Sequence, residues 1–219
     1  MKNARKFFAE ALGTGLLLAI VVGSGIMAER LADGNTAIAL LANALATGAG
    51  LFVLIVVLAP VSGAHFNPLA SLNAWRDGAL CTRALFGNIT AQIIGAILGV
   101  ALAHLMFELP FPLWSEKVRH GNGQWISEAV ASFGLILLLL RLQKQSAPLI
   151  AAAVGLYITS AYWFTASTSF ANPAVTIARS FSNTFAGILP ADVPYFILAQ
   201  LGGLLLARVA HLLLGPVPE

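Results

Sequence analysis

Charged residues are scarce in this sequence, and their scarcity indicates its class. Only 10% of the 219 residues are Asp, Glu, Lys or Arg, whereas soluble domains carry roughly 25%. The hydrophobic share is 58% and the mean hydropathy is +0.85. A chain with so few charged residues cannot form the polar surface that a protein in water needs. We therefore predict a protein of the lipid bilayer.

Cysteine is almost absent, and basic residues are few and dispersed. The single Cys81 excludes an internal disulfide and a cysteine-based metal site. The net charge is only +3, without a basic cluster, which argues against a nucleic-acid partner. No nucleophile elbow and no metal-ligand spacing occurs either. We therefore predict that the protein is not an enzyme and uses neither a metal nor a cofactor.

Long apolar runs, by contrast, are abundant. A transmembrane helix needs ~20 predominantly apolar residues. The first run follows a basic N-terminus without a convincing cleavage site, so we interpret it as a retained span and not as a signal peptide. Six segments are candidates for membrane spans: 7–28, 36–59, 83–106, 126–143, 147–166 and 193–214.

Asn-Pro occurs twice, once after the second span and once after the fifth. The two copies lie in SGAHFNPL at 62–69 and TSFANPA at 168–174. Asn is a favoured N-cap and Pro is favoured at the first helical position, so each copy predicts a helix start. Each stretch is about half a membrane long. We predict two re-entrant half-helices whose positive N-terminal ends face each other at the bilayer midplane.

The sequence divides into two similar halves within a single channel domain, 1–219. Residues 1–106 and 124–219 each hold three spans and one half-helix, joined by an extracellular loop at 107–123. Three spans per half force the halves into opposite orientations, which is an inverted repeat. Lys and Arg are more frequent in the loops on the N-terminal side, so both termini are predicted to be cytoplasmic.

Two further features recur in both halves. Glu10 and Glu128 open the first and fourth spans, and Gln-x-x-Gly occurs at 92–95 and 200–203. Charged residues inside a membrane are costly and usually functional, so a proton relay is one interpretation of the two glutamates. The predicted fold class is thus an all-α membrane protein with six transmembrane helices and two re-entrant half-helices in an inverted repeat.

The duplicated Asn-Pro boxes, the Ser-Gly-Ala-His lead-in and the repeated Glu and Gln-x-x-Gly resemble the aquaporin, or major intrinsic protein, family. The resemblance extends over essentially the whole chain. It implies a homotetramer in the plasma membrane with one pore per subunit, and it favours loop support by Glu10 and Glu128 over a proton relay. The two boxes are Asn67, Pro68 and Leu69, and Asn172, Pro173 and Ala174.

The resemblance also assigns the residues along the pore. Asn67 and Asn172 would donate side-chain N–H groups to a solute at the midplane. Backbone carbonyls would line the rest of the path, from Gly63, Ala64, His65, Thr168, Ser169 and Phe170.

The selectivity filter departs from the family pattern. Val175 stands where an arginine usually follows the second box, and counting back from the boxes places the other filter positions at Thr47, Ser160 and Ser169. No aromatic, His or Arg belongs to this set, so we predict a wide filter. It suits glycerol, urea, undissociated arsenite or methylated arsenicals, and water. Similar bacterial channels are linked to arsenic handling.

Three alternatives stay open from the sequence. Leu69 replaces the usual Ala of the first box, and either narrows the midplane or is accommodated by its neighbours.

Arg179 lies one helical turn beyond Val175. It either guards the outer vestibule against cations or ties down the outer loops through carbonyls or Asp192. An ion- or proton-coupled secondary transporter remains the alternative to a passive channel.

Overall fold

Residues 2–216 are described by a computed structural model, and helices dominate this part of the chain. No β-strand forms between these residues, and a 3₁₀ turn at Pro190–Asp192 precedes the last helix. The α-helices are α1 Lys2–Leu31, α2 Thr36–Ser62, α3 Pro68–Arg76, α4 Thr82–Met106, α5 Asn122–Leu142, α6 Ala147–Phe164, α7 Pro173–Arg179 and α8 Val193–Leu213.

The lengths of the helices confirm the predicted fold class. Helices α1, α2, α4, α5, α6 and α8 are long and apolar enough to cross a membrane. Helices α3 and α7 have 9 and 7 residues, and at ~1.5 Å per residue neither could span a bilayer. The fifth span ends at Phe164 rather than 166, because the backbone is already extended at Thr165.

Both half-helices begin at Asn-Pro through the same capping contact. The Asn67 Oδ1 atom accepts the backbone N–H of Leu69 at 2.9 Å, and proline occupies the first turn. The Asn172 Oδ1 atom accepts the N–H groups of Ala174 and Val175, at 3.0 and 3.3 Å. Each asparagine therefore satisfies N–H groups that the helix itself cannot bond.

Within each half, the first and third spans pack closely, α1 against α4 in the first half and α5 against α8 in the second. Glycines permit the close approach of the backbones. A Cβ atom on Gly99 of α4 would overlap the Gly15 carbonyl of α1. A Cβ atom on Gly203 of α8 would overlap the Ala129 carbonyl of α5 and lie 2.9 Å from the Phe133 nitrogen.

Adjacent glycines of α8 offer a matched test of this packing. We expect Gly203→Ala to destabilise the protein by ~1–3 kcal/mol through overpacking, which lowers the melting temperature by roughly 2–12 °C. Gly202→Ala is the control, because a Cβ atom there meets nothing within 4 Å. Thermal scans of both variants in detergent measure the difference. Equal melting temperatures would contradict the close crossing of α5 and α8.

Candidate pore between the half-helices

A cavity of about 120 Å³ lies where the two half-helices meet. Aliphatic side chains of α1, α2, α5 and α6 form one part of its wall, and residues around the two Asn-Pro boxes form the rest. Among the described residues, none that lines the cavity is acidic. The lining consists of Leu17, Val21, Thr47, Leu51, Ile55, Gly63, Ala64, His65, Phe66, Asn67, Ala70, Leu135, Leu139, Ile150, Val154, Ile158, Tyr162, Ser169, Phe170, Ala171, Asn172, Val175 and Arg179.

The two box asparagines meet at the centre of the fold. Asn67 Nδ2 donates to the carbonyl of Ala171, and Asn172 Nδ2 donates to the carbonyl of Phe66, each at 2.8 Å. Both side chains are buried and both line the cavity. The half-helices therefore face each other through their N-terminal ends, and each asparagine is bonded to the loop that precedes the other.

The loops before the half-helices hold non-glycine residues in the left-handed region. Ala64 and Phe66 have φ values of 50° and 47° before α3, and Ser169 and Ala171 have 50° and 48° before α7. This conformation is unfavourable for residues with a Cβ atom and persists only where other contacts hold it. Because equivalent positions are strained in both halves, we infer that side chains of other helices hold each loop in this conformation.

Glu10 holds the first loop. Its Oε1 atom accepts the His65 backbone N–H at 3.0 Å and the Ser62 hydroxyl at 2.6 Å. Its Oε2 atom accepts the Phe66 backbone N–H and the Gln92 side-chain amide, both at 2.8 Å. The carboxylate is fully buried. Four donors on two oxygens compensate for its removal from water.

Glu128 holds the second loop in the same way. Its Oε1 atom accepts the Phe170 N–H at 2.8 Å, and its Oε2 atom accepts the Ala171 N–H at 2.9 Å. The Gln200 side-chain amide donates to Oε2 at 2.6 Å. Like Glu10, this carboxylate is fully buried and lies outside the cavity lining. The repeated Glu and Gln of the sequence thus meet in space in both halves.

The two glutamines also link each carboxylate to a half-helix. Gln92 donates to the Ser71 hydroxyl of α3, and Gln200 donates to the Thr176 hydroxyl of α7, both at 2.9 Å. In the first half, the Nδ1 atom of His65 lies 3.0 Å from the same Ser71 hydroxyl. The His65 ring is therefore bonded to the half-helix that it precedes.

The structure corrects the predicted filter position on α6. Ser160 is exposed, its hydroxyl donates to the Tyr157 carbonyl at 2.7 Å, and it does not line the cavity. Tyr162 lines the cavity instead and is 3% exposed. Its hydroxyl lies 3.2 Å from the Thr47 hydroxyl of α2. The cavity wall beside Thr47 therefore includes an aromatic side chain that counting along the sequence missed.

A helical pattern on α6 could have identified Tyr162. Ile150, Val154, Ile158 and Tyr162 recur every four residues and all line the cavity. Side chains four positions apart lie on the same face of a helix. Ser160 lies two positions from this series and so faces away from it.

The other predicted residues divide between the cavity and its surroundings. Thr47, Ser169 and Val175 line the cavity, whereas Thr168 does not. The side chain of Leu69 is buried outside the cavity. It lies in an apolar cluster with Ile136 and Leu140 of α5 and Leu204 and Ala207 of α8. The extra bulk of Leu69 is therefore accommodated by packing and does not narrow the midplane.

Arg179 combines features of both predicted alternatives. It lines the cavity and is only 2% exposed. Its Nε atom donates to the Ala186 carbonyl, and its guanidinium lies over the Phe170 ring, 3.4 Å from the centroid. Asp192 is not its partner. That carboxylate accepts the Arg119 backbone N–H at 2.7 Å and contacts His120 at 3.0 Å.

Arg119 is a second buried arginine, and sequence reasoning did not identify it. It belongs to the loop at 107–121 between α4 and α5. Its Nε and Nη1 atoms donate to the carbonyls of Gly187 and Ser167, at 2.8 and 3.0 Å. Its guanidinium lies 4.9 Å from the centroid of the Phe170 ring. Both arginines therefore lie at the same end of the cavity, which we call the loop-side mouth.

Comparison with solved structures supports the fold independently. The structure aligns with the X-ray structure of the aquaglyceroporin from Plasmodium falciparum with a TM-score of 0.75. The alignment covers 95% of this chain and 93% of that one, at 18% sequence identity. Identity this low is informative about the fold alone.

Comparison of sequences identifies the family. The chain is 57% identical to aquaglyceroporin AqpS of Rhizobium meliloti over 202 residues, covering 91% of this chain and 85% of that protein. It is 34% identical to the glycerol uptake facilitator protein of Pseudomonas aeruginosa over 124 residues, covering 57% and 43%. Residues 1–144 match the family model described as Major intrinsic protein. The chain therefore belongs to the major intrinsic protein family.

Proposed function

We propose that the protein is a passive channel for small neutral solutes, including glycerol, urea and water. The observation that carries the proposal is the cavity between Asn67 and Asn172, with an aliphatic wall and no acidic lining residue among those described. The half-helix ends contribute partial positive charge at the midplane. Such a path opposes cations and does not compensate an ion for its lost hydration.

The filter proposed here consists of Thr47, Tyr162, Ser169 and Val175, with Tyr162 in place of Ser160. Val175 provides no charge at the usual position of the filter arginine, and Arg179 supplies a cation one helical turn further along. Tyr162 adds an aromatic ring that the predicted set lacked, but the missing guanidinium at position 175 leaves more room than the usual filter, and Arg179 still discourages cations. This filter suits undissociated arsenite and methylated arsenicals as well as polyols. The names of the two relatives support glycerol as a solute.

Coupled transport has less support than passive conduction. A coupled transporter would expose a carboxylate to the substrate, but Glu10 and Glu128 lie outside the cavity lining. Both are occupied by loop N–H groups and by a glutamine amide. Their proposed role is to hold the two loops in position.

The cellular setting is also part of the proposal. We place the protein in the plasma membrane as a homotetramer with one pore per subunit and with cytoplasmic termini. The loop at 107–121 is then extracellular, and the loop-side mouth is the outer vestibule. Large apolar side chains such as Leu45, Leu98 and Leu156 are exposed on the long helices, where lipid or another subunit could cover them.

Solute flux in proteoliposomes tests the channel. We expect stopped-flow permeabilities for glycerol, urea, water and arsenite well above those of protein-free liposomes, with the same glycerol rate in the presence and absence of a proton or sodium gradient. Passive conduction needs no driving ion, so the gradients should not matter. Accumulation of glycerol against its gradient would contradict the proposal and favour the coupled transporter, as would a rate set by the ion gradient.

A further inference from the structure

Two buried arginines share one aromatic ring at the loop-side mouth. Arg119 and Arg179 are 7% and 2% exposed, and both guanidinium groups lie over the Phe170 ring. Burying a cation is costly unless an anion or several hydrogen bonds compensate for the lost water. Two buried cations at the loop-side mouth therefore need groups that compensate for their charge.

In the part of the chain that the structure describes, no carboxylate pairs with either guanidinium. Within residues 2–216, neither arginine has a side-chain nitrogen within 4.0 Å of a carboxylate oxygen. The nearby acids are already engaged, Glu128 by the N–H groups of its loop and Asp192 by the Arg119 amide and His120. The C-terminal end of α7 offsets only part of the Arg179 charge.

A third cation adds to this charge. Lys117 donates from Nζ to the Phe185 carbonyl at 2.7 Å. Burial, together with repulsion from Arg119 and Arg179, lowers the pKa of Lys117 to about 8, against an opposing contribution from Glu29. The three cations are therefore close enough to repel one another, and a positive potential extends over the mouth.

The hydrogen bonds distinguish the two arginines. Arg119 uses its Nε and one terminal nitrogen on loop carbonyls and does not line the cavity. Arg179 bonds only through Nε, and its two terminal nitrogens have no hydrogen-bond partner in the described part of the chain. Because Arg179 lines the cavity, these free N–H groups are available to a ligand there.

We infer that the loop-side mouth is a binding site for a small, singly charged oxyanion. The terminal N–H groups of Arg179 bind two oxygens of the anion, while Arg119 and Lys117 supply the attractive field. A guanidinium matches a planar group with two oxygens on one atom, such as a carboxylate or nitrate. The inference rests on the proposed function in one respect: a bound anion obstructs the path of the neutral solute.

Nitrate is a suitable probe, because it is planar, singly charged and unprotonated at neutral pH. Glycerol efflux is measured from proteoliposomes in nitrate and in chloride of the same ionic strength. We expect nitrate to slow efflux through the wild-type protein saturably, by about threefold or more, and chloride to have little effect. Each variant is compared with its own rate in chloride, so that differences in basal flux cancel.

Two substitutions test the role of Arg179. Arg179→Gln removes the cation and should abolish the effect of nitrate. Arg179→Lys keeps the charge but loses the paired donors, so nitrate should act only at higher concentration. The lysine variant also keeps the test decisive if the glutamine variant does not fold. Wild-type sensitivity to nitrate in the variants would overturn the inference.

A binding measurement separates this site from the channel proposal. Nitrate should raise the melting temperature of the detergent-purified protein above that in chloride, and less so for Arg179→Lys, since only the folded state holds the site. The rise in melting temperature caused by nitrate should be larger at pH 7 than at pH 9, because Lys117 loses its charge above about pH 8. The Lys117→Gln substitution should remove this difference between the two pH values. If nitrate stabilises the protein but glycerol does not pass, the anion site is supported and the channel proposal is wrong. If glycerol passes but nitrate has no effect that depends on Arg179, the channel proposal is supported and the anion site is wrong.

Discussion

Val175→Arg should reduce the flux of glycerol by about tenfold or more and reduce water flux far less. Val175 lines the cavity and is 5% exposed, so a longer side chain at this position must enter the path. A guanidinium narrows the path and offers fixed donors that suit water better than a larger solute. A tenfold loss corresponds to ~1.4 kcal/mol on the barrier. Stopped-flow measurements of both solutes on one preparation give the ratio.

A neutral variant separates bulk from charge at this position. Val175→Met lengthens the side chain without adding hydrogen-bond donors, so glycerol flux should fall through steric narrowing alone. Water passing this variant does not gain the hydrogen bonds that the arginine variant offers. We therefore expect a smaller gain in water selectivity for methionine than for arginine. Equal losses of water and glycerol in the arginine variant, or no loss of either, would show that Val175 does not control the path.

The long helices and the half-helices were predictable from the sequence, because their signals are local. Apolar runs of membrane length need no knowledge of the neighbours. Asn-Pro specifies a helix start through contacts within three residues, as the caps at Asn67 and Asn172 illustrate. The pairing of Glu10 with Gln92 is not local. Its repetition as Glu128 with Gln200 was nevertheless visible as an internal repeat in the sequence.

The cavity-lining residue Tyr162 on α6 was not predictable by counting back from the second box. That count crosses residues 165–171, where Thr168, Ser169 and Ala171 adopt left-handed conformations. Each helical residue turns the side-chain direction by about 100°, so the two positions between Ser160 and Tyr162 change it by roughly 200°. A small error in register therefore exchanges a cavity residue for an exposed one.

The arginine pair was hidden for a different reason. Arg119 lies in a loop without periodicity, and nothing local indicates that its side chain is buried. Its burial depends on the carbonyls of Gly187 and Ser167, which are far away in the sequence. Arg179 differs in this respect, because its spacing of four residues from Val175 is a local signal. The contact of both guanidinium groups with the Phe170 ring exists only in the tertiary fold, which brings the loop at 107–121 next to α7.

Glu128→Gln should disable the channel, although Glu128 does not touch the cavity. The carboxylate receives three donors, the N–H groups of Phe170 and Ala171 and the amide of Gln200. An amide at position 128 offers one acceptor oxygen and turns an NH₂ group toward at least one of these donors. A buried donor is then left unpaired, at a cost of ~1–3 kcal/mol or more. The strained turn before Asn172 loses the contact that holds it.

We expect Glu128→Gln to lower the melting temperature in detergent by roughly 2–12 °C or more and to reduce glycerol and water flux together, since the whole loop shifts. This uniform loss differs from the selective loss expected at Val175. Glu116→Gln is the matched control, because Glu116 is exposed in the loop at 107–121 and its removal changes the same formal charge. If Glu128→Gln matched this control in both stability and flux, the carboxylate would not be what holds the second loop. The free energy that keeps Ser169 and Ala171 left-handed would then have to come from the asparagine contacts across the midplane.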